Sequence, residues 1–282
     1  MLQFAFTIGW VKPKARLDSK MFMVGLAICL VGGLGAAQEN GKASVPIWRN
    51  FRGWTQITAS PICEPDKLSF LPAAAVAAAL FQLDQTLQPV LQKQVYPWIN
   101  SAYQISSHPS DRSICELPQL LFLAGAQGKD PRISKLGLAL GDAVLSALVL
   151  SQSFKYISGR SRPANNGSAS DWWHSNTERF GQYTAFPSLH ATTYSAAATV
   201  IGSSYQCEPL ASAIALTLFM GDMQGHNHWL SDMVAGAWLG RAIGEYWVRH
   251  YQNLTWSKDL WLVTPVANGN SFDFQLLLRR TF

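Results

Sequence analysis

Three short blocks carry chemically active residues at fixed spacing: KYISGRSRP at 155–163, FPSLH at 186–190 and HWLSD at 228–232. Between them they supply two cations (Lys155 and Arg162), a hydroxyl (Ser188), two imidazoles (His190 and His228) and a carboxylate (Asp232). Cations and a hydroxyl can hold phosphate oxygens, one imidazole can attack phosphorus, and the other can protonate the departing oxygen. The set is therefore equipped for phosphoryl transfer.

Each block has a physical reading of its own. His228 and Asp232 are four residues apart, which on a helix puts them on one face. A carboxylate there can accept from one ring nitrogen and leave the other to attack. The pair alone would equally fit a capping histidine beside a solvated aspartate. FPSLH reads as a helix start, where unpaired N–H groups and the macrodipole favour an anion. In the first block Lys155 is a mobile point charge, and Arg162 is a planar fork suited to two phosphate oxygens. Pro163 ends the segment and directs the loop. Cations at a helix end are common for dipole reasons, so it is the register with the other two blocks that makes this one specific.

Those residues need elements to bring them together. Apolar helical stretches are expected at about 69–84, 117–127, 135–154, 190–204, 209–222 and 230–249, with Pro118 opening the second and Asp142 interrupting the third. The runs 190–204 and 209–222 are of similar length and joined by a turn near Ser203–Pro209. The chain therefore returns His228 to the end of the bundle where His190 starts. Lys155, in the last turn of the 135–154 stretch, can finish at the same end. The expected fold is all-α: a compact bundle of about five to six helices spanning 69–250, after an N-terminal extension at 38–68. None of the stretches after residue 37 reaches ~18 uncharged residues, the usual mark of a spanning helix. Residues 251–282 change character, with alternating apolar positions around Asn268-Gly269 that read as a short C-terminal β-hairpin. In the polar stretch between blocks, Trp172 and Trp173 either roof a pocket or pack.

Composition narrows the function class. Apolar residues make up 48% and charged residues 14% of 282, which argues for a buried helical core and against disorder. Lys12, Lys14, Arg16 and Lys20 precede the uncharged run Met21–Ala37, which reads as a signal peptide cleaved after Ala37; an uncleaved anchor is the alternative. That segment carries +3 of the chain's net +5. The remainder is nearly neutral, which disfavours a nucleic-acid surface. A bundle resting on a membrane surface stays compatible with this composition. The mature chain would keep Cys63, Cys115 and Cys207, at most one disulfide, with Cys63–Cys115 as the pair or all three as thiols. No His/Cys spacing suggests zinc.

The three blocks resemble the motifs of the type 2 phosphatidic acid phosphatase superfamily, which also holds bacterial acid phosphatases and vanadium haloperoxidases. The resemblance covers about residues 70–250. It implies that His228 is the nucleophile, oriented by Asp232, and that His190 protonates the leaving group. It further implies that Lys155, Arg162, Ser188 and the Leu189 amide hold the phosphate, with no metal and no cofactor. The substrate would be a phosphate-bearing lipid or small molecule and the location exported, in the periplasm. Most of the superfamily has Gly where this chain has Leu189. Where the third motif has an arginine six residues before its histidine, this chain has Asp222. Either Arg160, Arg241 or another cation fills the gap, or the chain follows the phosphotransferase-like branches, or it binds phosphate without turnover. A vanadate-dependent haloperoxidase, relying on the same arginine, is a further alternative.

Overall fold

The computed structural model describes residues 70–93, 101, 109–128, 130–174, 182–224, 226–252, 259–268 and 271–280. The expected signal peptide at 1–37, the extension at 38–68 and Cys63 lie outside them. Six helices follow in order: α1 (Phe70–Lys93), α2 (Pro109–Gln127), α3 (Pro131–Ser158), α4 (Leu189–Tyr205), α5 (Glu208–Gln224) and α6 (Leu230–Gln252). Strands β1 (Asp259–Asn268) and β2 (Ser271–Arg280) pair antiparallel, Asn268 opposite Ser271 and Asp259 opposite Arg280. This is the all-α bundle with a C-terminal hairpin that the sequence implies.

Local signals set the helices that matter for the site. The Asp130 side chain accepts from Arg132 N at 2.8 Å and Pro131 fills the first turn, so α3 starts there. It stops at Gly159, whose φ of 50° is left-handed and whose N–H bonds the Lys155 carbonyl. A Cβ at Gly159 would also sit 2.2 Å from the His174 carbonyl oxygen, so no other residue fits that turn. Ser188 caps α4, its hydroxyl accepting from Ala191 N at 3.3 Å.

Helix α3 runs through the centre of the bundle. Leu138, Leu140, Ala143, Val144 and Ala147 are buried against Phe122 of α2, Ala196 and Val200 of α4, and Ile243 and Trp247 of α6. Among the described residues, Arg132–Asn165 is the one segment long and apolar enough to cross a membrane, and most of it is buried inside the fold. Asp142, in the middle of this apolar run, accepts from the Tyr251 hydroxyl, and the Trp247 indole donates to Ser146 Oγ at 2.9 Å. Helices α4 and α6 approach each other closely. At Gly240 an added Cβ would lie 2.1 Å from the Thr192 carbonyl oxygen, and at Gly236 2.6 Å from that of Ser188. Bare backbone at these positions lets the start of α6 lie against the start of α4.

Two helix boundaries differ from expectation for physical reasons. The α1 helix does not end at Asp84 but continues to Lys93, because Asp84 is buried and paired rather than exposed. Pro118 does not open α2; the helix begins at Pro109 and carries Pro118 inside it.

Candidate active site

The first block leaves α3 and is pinned at both ends. Lys155 is buried, and its Nζ donates to the Thr184 carbonyl at 2.5 Å. Beyond Gly159 the chain runs beside the segment preceding α4: Arg162 N donates to Gln182 O at 3.0 Å and Ala185 N to Arg160 O at 3.1 Å. The Arg162 fork is held open by Asn227 Oδ1 at 3.1 Å and Thr184 Oγ1 at 2.9 Å. Ala164 N donates to His226 O at 2.9 Å, which ties this loop to the residues just before His228.

The second block presents the start of α4. Ser188 is fully buried, and its backbone N–H donates to the Asp232 carbonyl at 3.0 Å, joining the α4 and α6 termini. Its oxygen accepts from Ala191 N, which leaves the hydroxyl hydrogen to be donated to an anion. Leu189 occupies the first helical position, where the N–H has no partner within the helix. The His190 ring stacks on Tyr194, centroids 5.8 Å apart.

His228 is at the centre. It is buried, with Nδ1 2.7 Å from the Ala185 carbonyl oxygen. A carbonyl only accepts, so Nδ1 carries the hydrogen and Nε2 the lone pair. Burial holds the His228 pKa well below the ordinary histidine value. The positive charges of Lys155 and Arg162 push the same way, the Ala185 bond opposes, and His190 adds a smaller depression. The structure thus gathers Lys155, Arg162, His190 and His228 into one electrostatic neighbourhood. His228 is a neutral imidazole in a cationic setting, the state a nucleophile toward a phosphate dianion needs.

Asp232 does not take the place that spacing suggested. Its Oδ1 accepts from Arg160 Nη1 at 2.5 Å and its Oδ2 from Trp229 N at 2.8 Å, in the manner of a capping box. The orienting contact on His228 belongs to the Ala185 backbone instead. Burial raises the Asp232 carboxyl to about 6; Arg160 and the Trp229 bond oppose this, and Asp84 reinforces it.

Neither arginine proposed to replace the third-motif cation is available. All three Arg160 nitrogens are committed within a fully buried cluster, and Arg241 Nε pairs with Glu245 at 2.8 Å on an exposed face of α6. Asp222 lies in the last turn of α5, the helix leading back toward His228. Of the two tryptophans, Trp172 packs between Phe81 and Phe186, with centroids 5.4 Å from each. Trp173 is 76% exposed. Sequence reasoning missed Asp84, Thr184 and Ala185. Asn227 stands one position before the third block, next to His228. Asp84 carried one signal, a lone acid in an apolar helical run; a backbone carbonyl such as that of Ala185 carries none.

Residues 136–256 match the model of the PAP2 superfamily, the type 2 phosphatidic acid phosphatases. Over that stretch the chain is similar to the PAP2 superfamily. No curated protein and no solved structure matches the chain. The match spans all three blocks of the site and helices α4 to α6 whole, and most of α3; α1 and α2 lie before it. PAP2 proteins are generally phosphatases acting on phosphate-bearing substrates, and the geometry of the matched segment suits that chemistry.

Proposed function

We propose that this chain is an exported phosphoester hydrolase that works through a phosphohistidine. The observation that carries the reading is the neutral, buried His228, its Nδ1–H held by Ala185 and its Nε2 lone pair available beside Lys155 and Arg162. In the first step Nε2 attacks phosphorus as the P–O bond to the leaving group breaks. His190 gives its proton to the departing oxygen. Lys155, the Arg162 fork, the Ser188 hydroxyl and the Leu189 amide stabilise the three equatorial oxygens. Water then attacks the phosphorus, His190 takes its proton, the N–P bond breaks, and phosphate leaves a neutral His228 behind. The charge compensation comes from side chains, so turnover is expected to survive EDTA.

The surroundings favour a substrate with a hydrocarbon part. A groove of about 440 Å³ between α2, α4 and α5 is lined by Leu117, Leu120, Tyr194, Ile201, Ile214 and Leu218. Tyr194 is also the ring on which His190 stacks, so the groove opens beside the leaving-group acid. A lipid phosphate or isoprenoid diphosphate suits this shape better than a small soluble monoester. Export rests on the basic and apolar run at 12–37, and a mature chain beginning at Gln38 in a secreting host is its test.

The deciding assay is phosphate release with EDTA present, on phosphatidic acid, a polyprenyl diphosphate and a soluble monoester, with His228→Ala as blank. Turnover that survives in His228→Ala would defeat the mechanism. Tight phosphate binding with no turnover on any substrate would favour a binding protein. A phosphotransferase would show turnover only with an added acceptor alcohol.

A further inference from the structure

We propose that Arg160, anchored by Asp84, is a positioning residue that holds the Asp232 carboxylate off the His228 ring, so that the Ala185 carbonyl sets the tautomer of His228. The inference rests on the reading of His228 as the nucleophile. It concerns residues outside the phosphate contacts, one of them on a helix that precedes the family match.

The geometry is that of a closed clamp. Arg160 Nη1 donates to Asp232 Oδ1 at 2.5 Å and Ser231 Oγ at 2.8 Å. Nη2 donates to Asp84 Oδ2 at 2.8 Å and the Ala169 carbonyl at 2.8 Å, and Nε to the same carbonyl at 3.0 Å. The side chains of Arg160, Asp84 and Asp232 are 0% exposed. Aromatic rings wall in the guanidinium, with Trp172 at 4.5 Å, Phe81 at 4.9 Å and Trp229 at 5.6 Å from its central carbon. Asp84 reaches further along α6, accepting from Ser231 N at 3.0 Å and from the Ser231 hydroxyl. Both oxygens of Asp232 are thus occupied away from His228, four residues before it.

The chemistry explains what such a clamp accomplishes. A carboxylate on Nδ1 would favour the imidazolium and consume the lone pair; a neutral carbonyl orients the ring with a far weaker pull. Among the described residues, the charged and titratable groups acting on His228 are Lys155 from α3, Arg162 from the following loop and His190 from α4. Asp232, at the start of α6, is the nearby acid, and Arg160 neutralises it. Two carboxylates share one guanidinium. An arginine can bridge both with its fork, while a lysine ammonium cannot.

The test uses the full-length chain with ¹⁵N-labelled histidine, reading the His228 tautomer and titration by long-range ¹H–¹⁵N spectra. His228→Asn identifies the signals, and the pH profile of kcat/KM is recorded alongside. Wild type should show the Nδ1–H tautomer and titrate well below the ordinary histidine value. In Arg160→Lys the His228 titration should move up by about one pH unit as Asp232 is released, and the acid limb of kcat/KM should follow. Adding Asp84→Asn leaves the lysine a single carboxylate to hold, and should return both readings toward wild type. A folded Arg160→Lys with unmoved His228 titration, or a double variant shifted as far as the single, would overturn the proposal. If Arg160→Lys does not fold, Asp84→Asn alone decides: His228 must keep its low titration and Nδ1–H tautomer, and a rise counts against the clamp. These spectra need no turnover, so a failure of the hydrolase reading shows separately, as absent phosphate release with the spectra as expected.

Discussion

Replacing His228 with Asn should change the pH dependence of stability in a direction and size that follow from its burial. In the fold the His228 pKa lies well below 6.5, chiefly because burial disfavours the imidazolium. Below about pH 6.5 the unfolded chain takes up a proton there that the folded chain refuses. The contribution of His228 is therefore fully present above the unfolded value and is lost as pH falls. The limiting slope for one proton is about 1.4 kcal/mol per pH unit, so the loss between pH 7 and pH 5 is up to about 2 kcal/mol. Asp232 works the other way: its carboxyl is raised from 3.8 to about 6, so its contribution is present below 3.8 and is lost as pH rises through about 6. Wild type alone would show the two effects partly cancelling. The difference between wild type and His228→Asn isolates the histidine, and Asn can still donate to the Ala185 carbonyl. Urea unfolding followed by tryptophan fluorescence at pH 7, 6 and 5 should give a stability difference that shifts toward the variant by up to about 2 kcal/mol across the range. A difference independent of pH would refute the reasoning, since residue 228 would then take up protons equally in both states.

Three further substitutions test other parts of the account. Gly240→Ala places a methyl 2.1 Å from the Thr192 carbonyl oxygen; it should destabilise by about 1–3 kcal/mol, read as a lowered Tm, and an unchanged Tm would remove the close α4–α6 approach from the argument. Arg162→Lys keeps the charge but loses the fork braced by Asn227 and Thr184, so kcat/KM should fall on the order of 10–100-fold, and undiminished activity would exclude bidentate holding of phosphate. Asp222→Arg should raise phosphate release, by up to ~10²-fold for one restored charged contact. A drop to background in that variant would instead give Asp222 a role of its own.

The bundle was legible because its signals are local. The helix start at Ser188 was read from its block. Helix α3, by contrast, runs past its expected 135–154 at both ends, to the Asp130-Pro131 start and the Gly159 stop, whose capping signals went unread. The hairpin was legible for the same reason, in its alternation about Asn268. Asp84 misled the reading of α1, since a charge in an apolar run looks like the end of a helix until its buried partners are known. The close packing of α6 on α4 had a signal that went unused, glycine at 236, 240 and 244 on one helix face.

By itself the sequence named the cations, hydroxyl and imidazoles of the candidate site and the end of the bundle where they meet. Residue type and spacing decide charge, nucleophilicity and helix register, and these are properties of short segments. The partners of His228 and Asp232 were decided only by tertiary structure. The spacing of four offers the carboxylate to the imidazole, yet Arg160, 72 positions away, captures it, and a carbonyl 43 positions from His228 takes the ring nitrogen. A hydrogen bond goes to whichever acceptor the folded backbone brings to about 2.8 Å, and that competition cannot be read from spacing along one helix.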